Sequence, residues 1–486
     1  MASIFKEESC FLPNRDTYHL LPFRFSRLAG ERYVVTNEAG EWQVLTRPEL
    51  EGLVRKTLQF DTPIYQALKT KHFLQDQGSD IAADLLTLKV RTKRARIANF
   101  TGLFMFVVTL RCNHSCKYCQ VSRQSEDRGA FDMTKEVADA AIDFMFRSPS
   151  PAIKAEFQGG ESLLNFEAIK HIVLGAKQKN LVERRDLAFV IATNLSIISD
   201  EVLNFCKEHD VEISTSLDGP ADLHNANRPN PGGNSYQLTI DGIRRSREAL
   251  GRHAVSALMT TTQASLGRVT EIIDEYLRQG FNGIFLRSLS PYGYAIKTKY
   301  FSSYDAAQWL DFYRKGLDYI IEINKNGFFF VEYYTALILE KMLTPYGTGF
   351  VNLQSPAGMG TAGLVFNYNG EVYPSDEARM TAEMGDKCFR MGCLLADSYE
   401  DTMLSTSLLT ALDDTVAESV PMCEECAFLP YCGCDPDYHH ATQGDLVGHK
   451  ALSGFCKKNM GIFRYIIQKY EDDPAARQVF ESWVRW

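Results

Sequence analysis

The chain has 486 residues, 45% hydrophobic and 23% charged, the balance of an ordinary globular protein with room for two or three domains. Its formal net charge is -9, from 52 basic and 61 acidic residues; this argues against a nucleic-acid partner, which would need a basic face. No apolar run approaches the roughly 18 residues of a membrane span, and the start MASIFKEESC has no apolar signal segment, so a cytoplasmic protein with no membrane partner is expected.

Residues 19–75 read as a small unit. HLLPFRF, RYVVT and EWQVL are short runs rich in aromatic and β-branched residues, which favour strands. NEAG at 37–40 supplies a turn between two of them, and helical patterns follow at 47–58 and 62–74. This predicts a compact β-then-α unit without cysteine or a catalytic constellation. A polar stretch at 88–98, with the basic run Arg91, Lys93, Arg94 and Arg96, reads as a solvated linker. A first domain over 1–98 is expected.

From 103 onward strands alternate with helices. Strands are predicted near 104–110, 153–158, 187–193, 211–217, 254–260 and 283–288. A helix over 133–147 puts Val137, Ala141, Phe144 and Met145 on one face; another over 165–180 does the same with Phe166, Ile169, Val173 and Ala176. Six βα units imply a parallel sheet but are too few to close an eight-stranded barrel. An α/β fold with a partial (β/α)6 TIM-like barrel is therefore expected over 99–326, with chemistry at the C-terminal strand ends. From about 327 the alternation gives way to Gly-, Pro- and Cys-rich sequence with strand-like pieces such as GLVFNYNGEVYP (363–374). A third, metal-organised domain is expected over 327–486.

The 12 cysteines cluster, three at 112–119 and four at 423–434. In a reducing compartment such clustering favours metal or iron–sulfur ligation over disulfides. Cys10 and Cys206 stand apart and read as structural. RCNHSCKYC (111–119) directly follows the first barrel strand. Three thiolates this close can hold three irons of a [4Fe–4S] cube and leave the fourth open, because such clusters normally take four cysteines. A zinc knuckle is the alternative, although zinc sites favour CxxC pairs with later His or Cys. QGGE (158–161), IATN (191–194) and SLDG (216–219) then end successive strands, and HNANRP follows. Turn capping is the ordinary reading of each polar residue taken singly.

The CxxxCxxC loop with these segments in this order resembles the radical SAM superfamily. The resemblance implies that S-adenosylmethionine (SAM) fills the open iron site, and that reduction yields a 5′-deoxyadenosyl radical that abstracts hydrogen. It implies a SAM-binding role for Gly159, Gly160 and Glu161, ribose or methionine contacts from Asn194, Ser216 and Asp218, a matching arginine in Arg228, and Tyr118 near the adenine.

CEECAFLPYCGC (423–434), with Cys456 following, resembles the SPASM extension of peptide-modifying members. This implies an auxiliary [4Fe–4S] cluster on Cys423, Cys426, Cys432 and Cys456; four thiolates also suit tetrahedral zinc. For a second auxiliary cluster the chain departs from the pattern, with Ser375 where a cysteine is usual and no cysteine around Ser355 and Pro356. Cys388, Cys393 and Cys434 are its expected ligands, with buried free thiols as the alternative. Asp376 matches the aspartate taken as general base in anaerobic sulfatase-maturating relatives; a turn or an ion pair with Arg379 is the alternative. Residues 19–75 resemble a PqqD-like element, which takes a leader peptide as an added strand, with RYVVT as the docking strand.

The expected protein is thus a radical SAM oxidoreductase acting on a ribosomally made peptide. It would install a carbon–carbon or carbon–heteroatom crosslink. Its partners would be a precursor peptide with a leader and an electron donor such as flavodoxin or ferredoxin. LPFRF, VTLRCNHSCKYCQVSR, SDEARM and DPDYHHATQGD resemble the B-type radical SAM maturases of His-Xaa-Ser peptide systems. One alternative is a formylglycine-forming, anaerobic sulfatase-maturating enzyme, against which the leader-binding unit argues. Another is a non-enzymatic iron–sulfur or zinc redox sensor, against which GGE and SLDG argue.

Overall fold

The computed structural model describes residues 17–484, so Cys10 and the start of the chain lie outside the described residues. The N-terminal unit begins with β1 (Tyr18–Leu20), β2 (Phe23–Arg27), β3 (Arg32–Asn37) and β4 (Trp42–Thr46). Pro22, which has no backbone donor, lies where HLLPFRF divides into two strands. β2, β3 and β4 form an antiparallel meander. The helix Arg47–Arg55 starts from a capping box between Thr46 and Glu49, and the helix Pro63–Thr70 follows. This second helix stops short of 74 because His72 takes φ 57° and the chain turns into β5 (Leu74–Asp76), which pairs antiparallel with β1.

The two faces of β3 go to different places. Val35 packs with Leu45, Leu53, Tyr65 and Leu68 in a core private to this unit, whereas Val34 and Trp42 join the main core. Trp42 meets Tyr470 edge-on at 5.4 Å, Thr36 Oγ1 donates to the Ala427 carbonyl at 2.7 Å, and Tyr431 donates to the Gly40 carbonyl at 2.8 Å. RYVVT is therefore the middle strand, paired on both sides and buried on both faces. It has no free edge for an incoming peptide, and the open edges of the sheet are β2 and β4. The expected linker at 88–98 also differs, because Ile81–Arg94 is a helix that runs into a 3-10 turn, Ala95–Asn99. Leu86 buries against Leu21 and Ala39, and Lys93 donates to the Thr344 carbonyl at 2.7 Å.

The main sheet contains β6 (Leu103–Thr109), β7 (Ala152–Gly159), β8 (Asp186–Ala192), β9 (Val211–Ser216) and β10 (Val255–Leu258), parallel and in sequence order. Helices Lys135–Met145 and Phe166–Glu183 cover it with the predicted apolar faces. β11 (Gly283–Ile284) is shorter than predicted and pairs with β12 (Val331–Glu332) in a separate ladder. A bond from the Thr261 amide to the Arg287 carbonyl, 2.9 Å, ties its continuation to that of β10. At the opposite edge β13 (Gly363–Phe366) lies parallel to β6, and β14 (Glu371–Tyr373) and β15 (Gly392–Cys393) extend the sheet antiparallel. The result is an α/β partial barrel within an eight-stranded mixed sheet, with a cysteine-rich C-terminal region sewn to its first strand. Phe104 stacks on Phe366 at 5.8 Å across the join. No helix among the described residues is long and apolar enough to cross a membrane.

Candidate functional site

The C-terminal ends of β6 to β10 open into a cavity of about 260 Å³. Cys112, Cys116, Cys119, Tyr118, Gly159, Gly160, Asn194, Ser216, Arg228 and Asp376 all line it. The two glycines are forced by close approach. A Cβ on Gly159 would fall 2.3 Å from the Thr109 carbonyl oxygen, and one on Gly160 equally close, 2.3 Å, to that of Arg111. The backbone uses this closeness, since the Gly160 amide donates to Thr109 at 2.9 Å and the Glu161 amide to Arg111 at 2.7 Å.

Two of the predicted SAM contacts are braces behind the wall. Glu161 is 1% exposed. Its Oε1 accepts from Thr193 Oγ1 at 2.6 Å and the Leu163 amide at 3.1 Å, and its Oε2 from the Asn194 amide at 2.8 Å. Burial pushes its carboxyl up, and these three donors work against that. The Glu161 carboxylate thus ties the end of β7 to the end of β8. Asp218, wholly buried, accepts from Tyr118 at 2.5 Å and from Arg228 Nε at 3.1 Å. The Arg228 guanidinium also stands over the Tyr118 ring, 5.4 Å from its centre. Tyr118, expected near an adenine, is thereby a link from the cysteine loop to β9. Asn194 faces the cavity and donates to Asn113 Oδ1 at 2.9 Å, fixing the loop from the other side.

The donor set fits a cluster with one open iron. The three thiols of the loop lie close enough for Cys116 and Cys119 both to raise Cys112. Burial pushes Cys116 up to about 11, although Arg228 pulls it down. Bound iron would hold such thiols as thiolates.

Asp376 begins the helix Asp376–Ala382 and accepts from Arg379 at 2.9 Å. It lines the cofactor cavity and also a second one of about 370 Å³. Gln158, Leu258 and Arg287 are likewise common to both. The second cavity is walled by Phe285, Tyr334 and Phe350 and carries Glu377, Asp435 and Lys458. Burial beside Asp376 and Asp435 pushes Glu377 up to about 7. Sequence reasoning missed Glu156, Gln158 and Arg287. A signal was available, since Glu156 and Gln158 alternate with buried Ala155 and Phe157 toward the C-terminal end of β7 and bond to each other at 2.9 Å.

In the C-terminal region Cys423, Cys426 and Cys432 lie on short turns and Cys456 opens the helix Gly454–Asp472. The four thiols act on one another: Cys423 and Cys426 raise Cys456, and Cys426 and Cys456 raise Cys432. Cys388, Cys393 and Cys434 are not gathered in this way. Cys434 hydrogen-bonds Cys423. Cys393 ends the sheet in β15, and Cys388 Sγ lies 3.3 Å from His440 Nε2. The sheet and the turns carry the three thiols expected to ligate a second auxiliary cluster to different neighbours. Cys206 is buried among apolar side chains, as expected.

The family model of the radical SAM superfamily matches residues 106–286. A [4Fe–4S] cluster and SAM are the cofactors that this match supports, and the three-thiol loop and the glycine-edged cavity suit them. The chain is 25% identical over 276 residues to the cysteine-type anaerobic sulfatase-maturating enzyme of Clostridium perfringens, covering 54% of this chain and 71% of that one. It spans 45% and 64% of the lengths of two archaeal relatives. The solved structure of native anSMEcpe with bound AdoMet superposes with a TM-score of 0.63 at 18% identity, over 79% of this chain and 99% of that one. Streptococcus suis SuiB bound to precursor peptide SuiA superposes at 0.51 and 13% identity, over 88% and 97%. These likenesses establish the fold.

Proposed function

We propose that the chain is a radical SAM maturase of a ribosomally made peptide that installs a crosslink on an unactivated side-chain carbon. The observation that carries this reading is the shared wall of the two cavities, formed by Gln158, Leu258, Arg287 and Asp376. A peptide side chain held in the second cavity would meet the cofactor cavity at that wall. The cluster and SAM, when bound, supply hydrogen abstraction through a 5′-deoxyadenosyl radical. Around them Cys112, Cys116 and Cys119 would hold the SAM cluster, and Cys423, Cys426, Cys432 and Cys456 an auxiliary cluster. Asp376 is the candidate base for the proton released.

The N-terminal sheet supports leader binding through its open edge strand β2, where Phe25 is exposed. The motif resemblance to the B-type maturases of His-Xaa-Ser systems belongs to this reading, as do a flavodoxin- or ferredoxin-type electron donor and a cytoplasmic, reducing location. The sulfatase-maturating reading is the rival, favoured by the 71% coverage of the Clostridium perfringens relative.

The test is anaerobic. Reconstituted, reduced enzyme is given SAM and each short peptide encoded beside its gene, and 5′-deoxyadenosine and peptide mass are followed. The expected product has lost two hydrogens. A Phe25→Asp variant, altered at an exposed side chain of the edge strand β2, should still form 5′-deoxyadenosine yet modify the full-length precursor more slowly. Formylglycine in place of a Cys or Ser would transfer the reading to the rival; absence of 5′-deoxyadenosine would end both.

A further inference from the structure

The loop that joins Asp376–Ala382 to β15 meets the helix Pro436–Gln443 at a cluster of three unlike side chains. Asp386, Cys388 and His440 bring a carboxylate oxygen, a thiol sulfur and an imidazole nitrogen within 4.8 Å of one another. Asp386 Oδ2 lies 2.7 Å from His440 Nε2, and Cys388 Sγ lies 3.3 Å from the same nitrogen.

The shared nitrogen decides between two chemistries. In a nucleophile–base–orienter relay the thiol and the carboxylate address opposite ring nitrogens, one taking a proton and the other holding the tautomer. Here both face Nε2. Without a cation the ring N–H and the Cys388 thiol both donate to the Asp386 carboxylate; a metal ion would replace those two protons. A metal ion at the point of convergence satisfies all three at once.

The surroundings hold the donors on one side and keep other cations away. The Cys388 amide donates to Asp386 Oδ1 at 3.0 Å, which folds the two residues together. Lys387, between them in sequence, turns away and donates to both Glu371 oxygens at 2.8 and 3.0 Å; Arg390 goes to the same carboxylate at 3.1 Å. Phe389 stands edge-on to the His440 ring at 5.3 Å and fixes its plane.

We propose that Asp386, Cys388 and His440 bind a single zinc-class divalent transition-metal ion, separate from the iron–sulfur clusters. Thiolate with imidazole selects such a metal over magnesium or calcium, and thiolate plus carboxylate balances its charge. Asp386 and Cys388 are exposed, so the fourth coordination position faces solvent and takes water. The ion pins the 383–391 loop to the helix that follows Asp435.

The experiment uses the full-length protein, reconstituted with iron and sulfide under anaerobic conditions. It is equilibrated with a small excess of ZnCl2, desalted, and assayed for zinc, iron and protein by mass spectrometry. Wild type should retain one zinc per chain in addition to its cluster iron. Cys388→Ala and His440→Ala should each lose that zinc and keep the wild-type iron content, which also reports that they have folded. Cobalt(II) in place of zinc should give a thiolate-to-metal charge-transfer band in the difference spectrum of wild type against Cys388→Ala. The proposal is overturned if wild type retains no zinc, if both variants retain it, or if Cys388→Ala loses iron instead, which would make Cys388 a cluster ligand.

Discussion

The cysteine loop at 112–119 hangs from the end of a parallel strand, whereas the cysteines at 423–456 are strung between single helical turns. Around the first, the protein supplies its own frame. Backbone bonds lace β6 to the glycine turn, Glu161 ties β7 to β8, and the Tyr118–Asp218–Arg228 contacts anchor the loop to β9. Around the second, the turns are tied to the N-terminal sheet, through Thr36 to Ala427 and Tyr431 to Gly40, and further contacts fall on the sulfurs themselves. Asn459 Nδ2 lies 3.7 Å from Cys432 Sγ, and Cys456 Sγ 3.6 Å from Met460 Sδ. One region is framed by bonds among its own strand ends; in the other a bound metal would be part of the fold.

The sharpest way to break this comparison is to empty the first site. Replacing Cys112, Cys116 and Cys119 together by Ala should abolish SAM cleavage, remove about four irons, and leave the apparent melting temperature nearly unchanged. A large drop in melting temperature would mean that the barrel mouth also depends on its cluster. The second change is Cys423→Ala, which should also lose iron but raise amide hydrogen exchange through 415–460, by ten-fold or more in order of magnitude for a locally unfolded segment. Exchange at wild-type rates there would erase the contrast. The smallest effect sharpens the first half. Glu161→Gln keeps the shape but weakens acceptance from Thr193 and the Asn194 amide, and should cost about 1–3 kcal/mol of stability in chemical denaturation. With iron content intact, that loss would show the frame to be made by protein groups.

Much of the cofactor site was legible because its chemistry fixes residue type and spacing together. Three cysteines in nine residues and two glycines at a strand end leave few other readings, and the cavity gathers them. What stayed hidden depended on partners distant in sequence. Nothing in RYVVT marks it as a middle strand; only Thr36 reaching Ala427 and Trp42 reaching Tyr470 bury its second face. Arg91–Arg96 looked like a linker because charge dominates its composition, yet the helix Ile81–Arg94 is anchored by one buried side chain, Leu86, and by Lys93 reaching the Thr344 carbonyl. Cys388, Cys393 and Cys434 looked equivalent as spare thiols, and their different partners, His440, the sheet edge and Cys423, follow from tertiary packing alone.

The pairing of β6 with β13 sets a timetable for synthesis. Leu103 is in register with Gly363, so the strand that carries the cysteine loop waits for a partner 260 residues downstream. At translation rates of about 5–20 residues per second, that edge stays open for roughly 13–50 s after it leaves the ribosome. A chain cut short before residue 363 would keep the strand ends around the cysteine loop but leave an aggregation-prone edge of β6 open.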